Sequence, residues 1–161
     1  MTYRTSAFRV LVGGGALLVR VAIGESCMSS LPENARGFVQ IESRHSAADT
    51  GNRLEALLKA RGIMVFARVD FSADAERSGL SLPPEQLLIF GNPKAGTPLM
   101  LQQPTVGLDL PLKALIWQDV HGRCWVAYND PAYIVGRHGL PSTFSPNLAA
   151  VVPLIDTAAA E

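Results

Sequence analysis

Charge is in short supply. Lys, Arg, Asp and Glu make up 17% of the 161 residues, below the usual quarter, and 14 bases cancel 14 acids. A chain without net charge lacks the basic field of a nucleic-acid or anionic-membrane binder, so neither partner is expected. Cysteine is scarcer still. Cys27 and Cys124 are the only two, too far apart for metal-ligand spacing, and no disulfide is expected. His45, His121 and His138 fall in separate segments, none pairing with another at ligand spacing. No serine stands in a nucleophile elbow, and no phosphate loop of the Gly-Lys-Thr kind is present. A metal site is therefore not expected, and no cofactor is indicated. Long hydrophobic runs are missing too. VLVGGGALLV near the start spans ten residues, half of the about 20 that a membrane-crossing helix needs.

What is there is apolar: 48% of the residues, in a length that suits one domain with an unstapled core. Residues 1–30 stand apart. Arg4 and Arg9 precede the uncharged run, and small residues follow around Ala22 to Ser26, the order of a secretory signal. Export would make the protein periplasmic in a Gram-negative bacterium. Arg20 interrupts the segment, and without a working signal the protein stays cytoplasmic. Gly24-Glu25-Ser26 before Cys27 matches a lipobox poorly. Cys124 reads as a small buried strand residue rather than a reactive thiol.

Periodicity then orders the chain. GFVQIES (Gly37 to Ser43) reads as a strand. Leu54, Leu57 and Leu58 recur at helical spacing, with Ser46, Asp49 or Thr50 as caps, Glu55 four residues before Lys59, and Gly62 as the stop. Ile63 to Asp70 is a strand rich in branched and aromatic residues. SADAERSG is a short helix with Ser72 as its cap, and EQLLIFG is a third strand. Asn92-Pro93 reads as an N-cap with proline at the first helical position. Pro98 comes only five residues later, where a continuing helix would lose about 3 kcal/mol, so the helix is expected to restart at a Thr97 cap. It ends before Pro104.

LPLKALIWQ and CWVAYN flank a turn with His121-Gly122 at its tip. A two-residue turn pairs Trp117 with Val126 and Leu115 with Tyr128. One face then carries Leu115, Trp117, Val126 and Tyr128; the other carries Ala114, Ile116, Trp125 and Ala127. A hairpin covered on one side alternates with polar residues, so two apolar faces imply that both are covered. Asp130-Pro131 starts a last helix and Gly139 stops it, with Leu140 placed to touch Val135 and His138 solvated at the helix end. From Pro141 the chain reads as a tail: a linker with a short helix.

LLIFGNPKAGTPLM (Leu87 to Met100), DLPLKALIW (Asp109 to Trp117) and YNDPAY (Tyr128 to Tyr133), in that order, resemble the bacterial domain-of-unknown-function family 302 over Gly37 to Leu140. The resemblance implies a single α+β domain, a mostly antiparallel sheet with helices packed on it, of TATA-box-binding-protein-like topology, and a homodimer. It implies no agreed activity. Where the family pattern carries a histidine after the position matching Asp70, this chain has Phe71, which removes the support for an acid–base or metal role built on it.

The strand-to-helix corner at Asn92, Lys94, Gly96 and Thr97 is the first site candidate. Free backbone N–H groups and glycines let a ligand approach, and Lys94 in a first helical turn favours an anionic neighbour. Lys113, within a strand, calls for a carboxylate from Asp70, Asp109 or Asp130, or for a ligand. Tyr128 and Asn129 complete the set. The expectation is a non-enzymatic, homodimeric binding module for a small apolar or anionic molecule. A lysine–aspartate enzyme and a ligand-free interaction protein are the alternatives.

Overall fold

Alternation within the strands decides the layers. The computed structural model describes residues 37–160; the export signal expected over residues 1–30 and Cys27 lie outside the described residues. Five strands, β1 (Phe38–Ser43), β2 (Met64–Asp70), β3 (Glu85–Gly91), β4 (Leu112–Gln118) and β5 (Cys124–Asn129), form one antiparallel sheet in the order β1-β5-β4-β3-β2. Along β3, Gln86, Leu88 and Phe90 are buried and their neighbours half-buried, the period-two mark of a sheet with one face against a core. The α+β expectation is borne out.

Helix α1 (Ala47–Ala60) lies on that face because Leu54 and Leu58 project from one side of it, both fully buried. Ser46 caps it by accepting from the Asp49 N–H (3.1 Å), Glu55 bonds Lys59 (2.6 Å), and Gly62 leaves it at a left-handed φ of 67°. Truncating Leu58 to Ala would cost about 2–5 kcal/mol in lost transfer energy and cavity formation. Helix α2 (Phe71–Arg77) is capped by Asp70, not by Ser72. The Ser72 hydroxyl instead accepts from the Glu85 N–H (2.6 Å) and donates to the Pro83 carbonyl (3.0 Å).

Helix α3 (Pro93–Gln102) does not restart at Thr97. It runs unbroken from its Asn92 cap with Pro98 inside. The first turn is already closed when Pro98 arrives, since the Asn92 carbonyl accepts from both Ala95 and Gly96 N–H. The bond Pro98 omits would have gone to the carbonyl of Lys94, an exposed residue where water can substitute. A 3₁₀ turn (Pro104–Leu108) and a cis Leu110–Pro111 bond lead into β4.

The hairpin expectation needs a correction of one residue. Asp119 and Arg123 close a three-residue loop, Val120-His121-Gly122, with Gly122 at φ 80°, so Trp117 pairs with Trp125, Ile116 with Val126 and Ala114 with Tyr128. A loop one residue longer than assumed exchanges the faces of a whole strand. Ala114, Ile116, Val126 and Tyr128 face the helices. Leu115, Trp117, Trp125 and Ala127 share the opposite face with Leu87 and Ile89 of β3, and none of these joins either hydrophobic cluster. Both faces remain apolar under the corrected register.

Helix α4 (Pro131–Arg137) ends as expected, with the Leu140 N–H donating to the Val135 carbonyl (3.0 Å). The segment after Leu140 is no tail. A 3₁₀ turn (Ser142–Phe144), α5 (Ser145–Ala149) and α6 (Val152–Ala160) return to the body, and α6 places Leu154, Ile155, Ala158 and Ala159 in the main core beside α1 and the sheet. Pro146 and Pro153 sit in first turns, where proline starts a helix rather than breaking one, and small alanines allow close approach. A second cluster of Leu99, Val106, Ile134, Val135, Leu140 and Leu148 joins α3, α4 and α5.

Candidate functional site

Strand β3 ends at Gly91, and the chain turns into α3 through Asn92, whose side-chain oxygen accepts from the Lys94 N–H (3.0 Å). Beside that corner lies a cavity of about 280 Å³. Phe66, the extra residue of a β2 bulge, forms one wall with Gly91. Pro93, Ala95, Gly96, Thr97 and Met100 of α3 form a second. Leu110 and Pro111 close a third, and Asn147, Leu148, Ala150 and Val151 supply the last. Gly96 leaves space at this wall. A methyl group there would stand 3.3 Å from the Leu110 side chain, tighter than a relaxed contact.

The lining is mostly carbon. Among the described residues that form it, none carries an ionisable side chain. Its polar side chains are Asn92, Thr97 and Asn147. Asn147 donates one amide hydrogen to the Ala95 carbonyl (3.3 Å), which leaves a second hydrogen and a carbonyl oxygen to offer.

Of the candidates read from the sequence, Asn92, Gly96 and Thr97 meet at this cavity. Lys94 is exposed and stands outside the lining. Lys113 finds no carboxylate: its ammonium donates to the backbone carbonyls of Pro111 (2.9 Å) and Asp109 (3.5 Å). Tyr128 is buried on the helix face, where desolvation, then the charges of Asp156 and Asp130, push its hydroxyl pKa up. Asn129 is exposed at the end of β5. Asp70 and Asp130 cap helices, so the three aspartates do not converge. Cys124 is a buried free thiol, held in its protonated form by desolvation against weaker opposing bonds from Thr50 and Ser43.

Asp109 has a different partner. Its two oxygens take the Arg137 guanidinium (3.1 Å) and His138 Nε2 (2.7 Å), while His138 Nδ1 meets the Thr105 hydroxyl at 3.0 Å. His138, expected in solvent, is only 6% exposed. Hydroxyl, imidazole and carboxylate in a row resemble a nucleophile relay, but none of the three lines either main cavity. The chain of bonds clasps the 3₁₀ turn to the end of α4, and that turn carries Gly107 onto the cavity wall.

A larger hollow of about 570 Å³ lies between α1, α2 and β3. Its one cationic side chain, Arg68, is already bonded to Gln86 (2.6 Å) and Asn52 (2.7 Å). The smaller cavity is the stronger candidate because its walls are mostly carbon with a few polar side chains, the general form of a small-molecule site. Phe66, Met100, Leu110, Asn147 and Ala150 are site residues that the sequence does not reveal. A bulge leaves no mark in hydrophobic alternation, and Asn147 and Ala150 lie in the segment that reads as a tail.

Residues 39–158 match the profile of the family described as "Domain of unknown function DUF302". A protein named "Fluoride-specific ion channel FluC 1" from Brucella suis biovar 1 is 44% identical over 140 residues, 81% of this chain and 54% of that protein. A protein of the same name from Brucella abortus biovar 1 is 44% identical, with 51% of its length covered. The chain thus spans about half the length of these curated relatives. The crystal structure of an uncharacterised conserved DUF302 protein from Bacillus stearothermophilus superposes with a TM-score of 0.64 at 20% identity, over 76% of this chain and 95% of that one.

Proposed function

Starting from a chain that belongs to the DUF302 family, we propose that it is a non-enzymatic module that binds a small molecule at the Asn92–Thr97 corner and works as a homodimer. The carrying observation is the carbon-lined cavity of about 280 Å³ with three neutral polar side chains on its walls. Few, well-placed polar groups in an apolar hollow are the general form of a small-molecule site. The homodimer rests on the sheet face away from the helices, where Leu87, Ile89, Leu115, Trp117, Trp125 and Ala127 lie together. Glu85, Lys113 and Arg123 on the same or neighbouring positions offer both signs of charge, which suits a two-fold contact of one surface with itself.

Thermal-shift screening of the full chain against small neutral metabolites tests the binding reading. A ligand of the cavity raises the melting temperature of the native protein and not that of Ala150→Phe, which fills the hollow from an exposed position. Hits that stabilise both proteins equally would place binding elsewhere and remove the reading.

A second reading is favoured by the relatives. They bear the name of a fluoride-specific ion channel, and about half of each lies outside the match. On this reading the module acts beside such a channel as a regulatory or assembly domain. Fluoride flux through vesicles holding the whole Brucella suis protein, compared with one lacking the matching half, tests it. Equal flux and equal channel assembly would count against it.

A further inference from the structure

We infer that the cavity takes a neutral, amphipathic molecule, an alcohol, amide or ketone head on a short chain or ring, and that it rejects carboxylates, ammonium ions and fluoride. This rests on the reading of the cavity as the binding site and narrows what that site accepts.

Size sets the first limit. A volume of about 280 Å³ lies at the small end of ligand pockets, which begin near 300 Å³. At about 30 Å³ for each water-sized group it holds roughly nine or ten non-hydrogen atoms. Charge sets the second. No ionisable side chain lines the cavity among the described residues, and an ion buried without a partner loses its hydration uncompensated. Lys94, the nearby cation in sequence, is exposed and takes no part in the lining. Fluoride is the extreme case, a small ion for which this lining has no positively charged side chain.

Polarity within the lining sets the third. Asn147 is bonded to the first turn of α3 and so lies on the seam between α3 and α5, while Phe66, Leu110 and Pro111 supply carbon from the other elements. A molecule with one hydrogen-bonding end meets Asn147 there. The approach is apolar as well. Phe66 is 50% exposed and Met100 38% exposed, large hydrophobic side chains kept in water although both belong to the lining. Methionine's flexible thioether lets such a rim adapt to chains and rings alike.

The test titrates the full chain with 1-octanol, octanoate, octylammonium and sodium fluoride at pH 7, read by calorimetry and by protein NMR shifts. The native protein is expected to bind 1-octanol at least tenfold more tightly than either charged analogue and not to bind fluoride at the cavity. Ala150→Phe is expected to abolish octanol binding. Asn147→Leu is expected to weaken octanol while leaving toluene, which has no head group, unchanged; this variant keeps the test decisive if the phenylalanine disturbs folding. Octanoate or octylammonium binding as tightly as octanol, with loss in Ala150→Phe, would overturn the neutral class and leave the site standing. No binding of any chain compound or toluene to the native protein would overturn both.

Discussion

Asp119 shows how much one side chain can organise. Its carboxylate accepts from the Trp125 indole N–H (3.0 Å), from the backbone N–H groups of His121 (2.8 Å) and Arg123 (3.0 Å), and from the Arg123 side chain. These bonds, the indole first, hold its pKa well below the usual carboxylate range despite some desolvation. A depressed folded-state pKa means the unfolded chain takes up the proton first. The stability gained is therefore fully present above about pH 4, the unfolded value, and is lost as pH falls toward the folded one. Asp119→Ala is expected to melt below the native protein at pH 7, with the gap narrowing progressively as pH falls below about 4. A pH-independent gap in thermal unfolding would show that the carboxylate's charge is irrelevant. The same residue explains the one-residue correction to the hairpin. Asp119 looks like an ordinary turn residue, but its bonds favour the three-residue loop ending at Gly122.

At the scale of elements, caps and strands are legible in the sequence and irregularities are not. Ser46, Asn92, Asp130 and Gly139 do what their residue types require, because capping is local chemistry. The β2 bulge and the burial of His138 depend on residues distant in sequence, which no local pattern encodes. The Asp109–His138–Thr105 clasp is the clearest case, since it spans 33 positions. Replacing His138 with Ala removes two hydrogen bonds, one of them charge-assisted, and should cost about 1–3 kcal/mol in urea unfolding. It should also weaken binding of a cavity ligand, since the 3₁₀ turn it fastens forms part of the wall. Unchanged stability would make the clasp incidental. The site is half legible for the same reason: the Asn92 corner announces itself, while Asn147 and Ala150 are recruited by tertiary packing.

For the whole molecule, the corrected register sharpens the association argument, because Trp117 and Trp125 now stand opposite each other on the face away from the helices. Leu115→Glu puts a charge near the middle of that face without touching the core. Sedimentation equilibrium at micromolar concentration should give twice the monomer mass for the native chain and a folded monomer for the variant. A native monomer would remove the homodimer. The order of strands carries one more consequence. Among the described residues β1 pairs only with β5, the last of the five strands, and α6 completes the core after it. During synthesis β1 must therefore wait, unpaired, until β5, about eighty residues further on, has been made. Pairings so distant in sequence form slowly, and the hydrocarbon left waiting is the part a cellular chaperone would have to shield.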